Sequence, residues 1–102
     1  MAEPTKKRTA FVVDDELVIT STLAAILRLN GFDATSFSAP LEALDAARSQ
    51  APDLLVSDVI MPLMSGIELA IEVKRSCPDC KVLLLSGQAV TTELLATAKA
   101  DG

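Results

Sequence analysis

Leu54-Leu55-Val56-Ser57-Asp58 is a run of three aliphatic residues closed by a hydroxyl and a carboxylate. A strand with one solvated face alternates apolar and polar residues, whereas a strand covered on both faces gives an unbroken apolar run. Residues 54–56 follow the second pattern, as do Phe11-Val12-Val13 and Val82-Leu83-Leu84-Leu85. These runs are expected to be central strands of a parallel sheet. A weaker candidate, residues 33–37, mixes small polar side chains with Phe37 and follows Asn30-Gly31, a pair that stops helices. It is expected at a sheet edge.

Helical periodicities separate these strands. Residues 17–29 place Ile19, Leu23, Ile26 and Leu27 on one face, and residues 40–50 turn Leu44 and Ala47 inward. Ser65-Gly66-Ile67-Glu68 is a capping box that predicts a third helix running to about Ser76, and a fourth is expected over 92–99, with Gly102 placed to end it. Strands alternating with helices make an α/β fold with a doubly wound parallel sheet. In such folds ligands gather at the carboxyl ends of the strands, near the point where strand order reverses.

At 102 residues, 50% apolar and 23% charged, the chain holds one core and is too short for two ordinary domains. A net charge of −5 and only three aromatic residues argue against a nucleic-acid surface, which needs clustered cations or stacking rings. Residues 1–8, with Lys6-Lys7-Arg8, read as a flexible solvated tail. Only four apolar residues, 10–13, follow before Asp14 and Asp15, which excludes a signal peptide or membrane span at this point. Cys77-Pro78-Asp79-Cys80 has the spacing of a metal or redox pair, but the chain has no histidine and no second cysteine pair to complete a zinc site. The pair is expected between a helix and a strand as two reduced thiols of a cytoplasmic protein.

Asp14 and Asp15 directly follow the first strand run, and Asp58 follows the next central run after Ser57. Three carboxylates are thereby expected at one rim of the sheet. Like charges a few ångströms apart raise one another's pKa and repel unless a cation neutralises them, and oxygen ligands without histidine or cysteine favour magnesium. Each aspartate taken alone also fits a turn or a helix cap; Asp14 or Asp15 would cap a helix starting near Leu17. Ser86, followed by Gly87, brings a hydroxyl to the end of the 82–85 run. The coincidence of these positions discriminates between the readings.

Val12-Val13-Asp14-Asp15-Glu16, Leu55-Val56-Ser57-Asp58-Val59-Ile60-Met61-Pro62-Leu63-Met64-Ser65-Gly66 and Leu83-Leu84-Leu85-Ser86-Gly87-Gln88 together resemble the receiver domains of bacterial two-component signalling. The resemblance covers residues 9–102. It implies a flavodoxin-like fold with strand order 2-1-3-4, and a signalling module rather than an enzyme. Asp58 would be the phosphoacceptor for a sensor histidine kinase or phosphotransfer protein. Asp14, Asp15, Asp58 and the Ile60 backbone carbonyl would hold Mg2+. Ser86 would be the switch hydroxyl, and Ile60 and Gln88 would tune hydrolysis.

The resemblance also implies a fifth strand carrying a lysine and an aromatic switch partner, then a fifth helix, and none of these follows the 82–85 run within the 102 residues. Lys81 precedes that run and Lys99 lies in the last predicted helix, so neither is expected at Asp58. The 82–85 run would then be an apolar edge, a liability that proteins normally cover. Residues 9–102 are accordingly expected to be a receiver lacking its C-terminal part, or to pair through this edge in a homodimer. Two alternatives are an interaction-only module and a phosphohydrolase with an aspartyl nucleophile. The latter would prefer Asp-x-Asp on the first strand, where this chain has Asp14-Asp15-Glu16.

Overall fold

A computed structural model describes residues 7–85. Along them alternate β1 (Arg8–Val13), α1 (Leu17–Leu29), β2 (Phe32–Phe37), α2 (Pro40–Ser49), β3 (Leu54–Asp58), α3 (Gly66–Ser76) and β4 (Lys81–Leu85). The four strands form one parallel sheet in the order β2-β1-β3-β4, as expected. The chain steps from β1 to one side, returns past it to β3, and so reverses its winding between β1 and β3. Right-handed crossovers then put α1 on one face and α2 and α3 on the other.

Alternation along each strand divides the core accordingly. Phe11, Val13, Leu55 and Leu84 pack with Leu44 and Ala47 of α2 and Leu69 and Val73 of α3, while Ala10, Val12 and Val56 pack under Ala24, Leu23 and Leu27 of α1. Phe11 and Phe37 meet edge to face, with centroids 4.9 Å apart.

Two expectations are corrected. The first strand takes in Arg8, which the sequence pattern gave to the tail: Arg8 pairs with Phe32, and the Thr9 N–H donates to Asp53 Oδ2 at 2.8 Å. Residues 1–6 lie outside the described residues, as does the helix expected over 92–99. The inward stripe of α1 is Thr20, Leu23, Ala24 and Leu27, whereas Ile19 and Ile26 are 37% and 48% exposed on its flank. Apolar residues run almost all round this helix, Leu17, Val18 and Leu29 included, so periodicity did not fix its phase. Small Thr20 and Ala24 let it sit close to the sheet.

The other helices follow the sequence. Leu44 and Ala47 are buried in α2. The capping box of α3 closes with Glu68 N–H to Ser65 Oγ at 3.1 Å and Ser65 N–H to Glu68 Oε1 at 3.0 Å. Gly31, at φ +92°, makes the left-handed step from α1 into β2.

Candidate metal centre

β1 and β3 run side by side with Val13 opposite Ser57. The next residue of each chain segment, Asp14 and Asp58, therefore emerges at the same rim. Asp14, Asp15 and Asp58 each offer a carboxylate oxygen within 4.8 Å of the others; Asp14 is buried, Asp58 half-buried and Asp15 exposed.

Asp14 is held from both sides. Its N–H donates to the Phe37 carbonyl at 3.2 Å, and its Oδ1 accepts from the Glu16 N–H at 2.9 Å. The N-cap of α1 is Glu16, with no side-chain cap bond, so neither Asp14 nor Asp15 serves that helix as its cap residue. Burial pushes the Asp14 carboxyl above its ordinary range; the Glu16 N–H opposes this, and the negative charges of Asp58 and Asp15 add to it. Among the described residues no salt bridge reaches the cluster.

The end of β3 is tied down as firmly. The Ser57 hydroxyl donates to the Asp58 carbonyl at 2.9 Å, the Val59 N–H to Leu85 O at 2.9 Å, and the Gly66 N–H to the Val59 carbonyl at 2.8 Å. Sequence reasoning used Gly66 in the capping box and quoted Ser57 and Gly66 within the motif around Asp58, but gave neither a role at the site. Ile60 and Leu63 lie exposed in the loop that follows, while Met61 anchors it in the core.

Ser86, Gln88 and Lys99 lie outside the described residues. Leu85, the residue before Ser86, stands opposite Asp58 in the β3–β4 register, and Lys81 stands at the other end of β4, opposite Leu54. Lys81 is thus kept from the acidic rim, as expected. Cys77 and Cys80 are free and buried at the α3–β4 connection, and they join no metal-capable group among the described residues. Burial, reinforced by Cys77, pushes the Cys80 thiol up to about 11.

An all-oxygen, strongly anionic donor set with one buried member suits a hard divalent cation, and Mg2+ above softer metals. No helix among the described residues is long and apolar enough to cross a membrane.

Comparison with known proteins agrees with this fold. The probable transcriptional regulatory protein TcrX of Mycobacterium tuberculosis is 35% identical over 94 residues, which cover 92% of this chain and 40% of TcrX. The chain spans 37–40% of the length of the curated relatives it matches. Chemotaxis protein CheY4 of Vibrio cholerae superposes with a TM-score of 0.84 at 26% identity, covering 95% of this chain and 82% of CheY4. A response regulator from Burkholderia pseudomallei, crystallised with a phosphorylated aspartic acid, calcium ion and citrate, superposes at 0.82 with 27% identity, covering 93% of this chain and 55% of its own. The profile of the response regulator receiver domain matches residues 10–102, and with that match over nearly the whole chain the protein belongs to the response regulator receiver domain family.

Proposed function

We propose that this domain accepts a phosphoryl group on Asp58, in a magnesium-dependent reaction, from a phosphohistidine of a sensor histidine kinase or phosphotransfer protein in the cytoplasm. The observation that carries this reading is the approach of Asp14, Asp15 and Asp58 to within 4.8 Å of one another at the ends of adjacent strands. Asp58 is the acceptor because it is the more open of the two aspartates that directly continue the strands. Its ionised oxygen attacks phosphorus, the histidine nitrogen leaves, and an acyl phosphate forms on Asp58. Asp14 and Asp15 bind the cation, with the Ile60 backbone carbonyl as a further ligand. When bound, Mg2+ supplies the positive charge that the carboxylates and the phosphoryl oxygens both require.

Ser86, which follows the strand paired to β3, would donate its hydroxyl to the new phosphoryl oxygens and draw its segment inward, biasing a two-state equilibrium that a partner reads. Ile60 and Gln88 would tune hydrolysis. The phosphorylated aspartic acid and calcium ion of the Burkholderia pseudomallei relative support both the acceptor chemistry and the preference for a hard divalent cation. On this reading the chain is a signalling module, with residues 9–102 as its receiver unit. Self-pairing through β4 is a second contribution to function, favoured by Leu83, which is 45% exposed on a strand that flanks the sheet among the described residues. Sedimentation showing a monomer at high concentration would remove it.

Intact mass after incubation with acetyl phosphate tests the principal reading. The expected result is one added phosphoryl group in Mg2+, none in EDTA and none in Asp58→Asn. An equal gain in Asp58→Asn would exclude Asp58 as the acceptor.

A further inference from the structure

After β3 the chain loops out past Ile60 and Leu63 and returns to start α3 directly against the strand end it left. Gly66, the first residue of α3, lies so close that a Cβ there would overlap the Asp58 carbonyl oxygen, stand 2.9 Å from its carbonyl carbon and 3.0 Å from Ser57 Oγ. The glycine is not there for its dihedral freedom, since the only positive-φ glycine among the described residues is Gly31. Contact is the remaining reason. Ser57 is fully buried beside it, at a position where the neighbouring strand residues are aliphatic, and its hydroxyl is spent on the carbonyl of Asp58.

Resting on the acceptor role given to Asp58, we propose that Gly66 and Ser57 are positioning residues, which fix the main chain of Asp58 so that its carboxylate meets those of Asp14 and Asp15 in a geometry a small cation accepts. The Asp58 carbonyl accepts from the Ser57 hydroxyl and has the start of α3 at Gly66 directly against it, while the next residue, Val59, donates its N–H to Leu85 and accepts from the Gly66 N–H. Mutual repulsion among the carboxylates pushes against this grip. Mg2+ demands near-octahedral ligands at about 2.0–2.1 Å, so a main-chain shift on the order of 1 Å at one ligand is enough to spoil the site. A Cβ at Gly66 forces such a shift, in the strand end, in the start of α3, or in both.

Isothermal titration of the full chain with Mg2+ tests this, at a temperature where circular dichroism shows each variant folded. Gly66→Ala and Ser57→Ala should each weaken Mg2+ binding by about 10-fold or more, since losing a ligand's supporting partner typically costs about 10-fold to 100-fold. The rate of acyl-phosphate formation should fall with it. A residue that serves only the fold would lower the melting temperature and leave the Mg2+ affinity of the folded protein unchanged, and that result would overturn the proposal. If Gly66→Ala does not fold, Ser57→Ala, which removes one atom and adds none, decides alone. Wild type without Mg2+ affinity would sink the acceptor reading and this one together. Wild-type binding that is lost in Asp58→Asn but kept in both positioning variants would sink this one only.

Discussion

Replacing Asp58 by asparagine should stabilise the metal-free protein and abolish its response to Mg2+. Asp14, Asp15 and Asp58 approach within 4.8 Å. Two unit charges at that separation repel by about 0.9 kcal/mol in water and about 3.5 kcal/mol at an effective permittivity of about 20. Asp58 is half-buried and Asp15 exposed, so solvent screens most of this, and the lower end applies. Removing the Asp58 charge relieves its repulsion with both neighbours, for a net gain of roughly 1–2 kcal/mol. Asparagine keeps the shape, and no hydrogen bond to the Asp58 side chain exists among the described residues to be lost. Each kcal/mol moves the melting temperature of a domain this size by about 4–8 °C. Circular-dichroism melts in EDTA at low salt and neutral pH should therefore show Asp58→Asn melting several degrees above wild type. The gap should shrink at about 1 M salt, where the Debye length of about 3 Å falls below the spacing of the carboxylates. In Mg2+ the order should reverse, because wild type gains about 2.7 kcal/mol at 100 times its dissociation constant while the variant gains little. A variant that melts at or below wild type in EDTA, or that gains equally from Mg2+, would refute the repulsive three-carboxylate site.

The Asp14 carboxyl lies above its ordinary value of 3.8, so just above that pH the native state holds more protons than the unfolded chain. The contribution of Asp14 to the stability of the metal-free protein should fall as pH rises through that window, so the urea-midpoint difference between Asp14→Asn and wild type should widen over the same window, then level off. Leu63 sits at φ 74° and is 90% exposed, a left-handed backbone without packing in return. Leu63→Asn should raise stability by about 0.5–1 kcal/mol in chemical denaturation, and a loss would show that the loop needs this side chain. Cys80, buried and pushed up to about 11, should react with a thiol reagent at least about 100-fold more slowly than a free cysteine until denaturant is added. Native-state labelling at the free-thiol rate would mean that the α3–β4 connection opens.

Much of this was legible because the strands are short and covered on both faces. The runs around Phe11 and Leu55 announced central strands, and their carboxyl ends then fixed where Asp14, Asp15 and Asp58 had to lie; the equally apolar run around Leu84 announced a strand too, but β4 flanks the sheet among the described residues. The box at Ser65 and Glu68 announced α3 because its two hydrogen bonds are local. The phase of α1 was not legible, since a helix apolar nearly all round carries no preferred face; packing against Ala10, Val12 and Ala34 selected the small residues Thr20 and Ala24 instead of the large Ile19 and Ile26. The role of Gly66 was hidden for a different reason. A close approach between a strand end and a helix start is a tertiary fact, and in the sequence it looks the same as any glycine at the first position of a helix.

The position of the acidic cluster explains how the fold sustains it. β1 is hydrogen-bonded to β2 and β3, and β3 to β1 and β4, and Ala10, Val12, Val13, Leu55 and Ser57 are all fully buried. The two strands that carry the carboxylates are thus the two that are paired on both sides and covered on both faces among the described residues. Repulsion at their ends cannot be relieved by parting them, because that would expose the best-packed part of the core. A one-residue slip in register would offset Asp14 from Asp58, but it would also turn Val13 of a slipped β1, or Leu55 of a slipped β3, out of the cluster they share with α2 and α3. The electrostatic cost therefore remains in the site, where it adds to the burial that chiefly raises the Asp14 carboxyl. On the proposed metal-binding reading a cation would offset that cost, and the same packing that holds the charges together would then favour a divalent metal at the site.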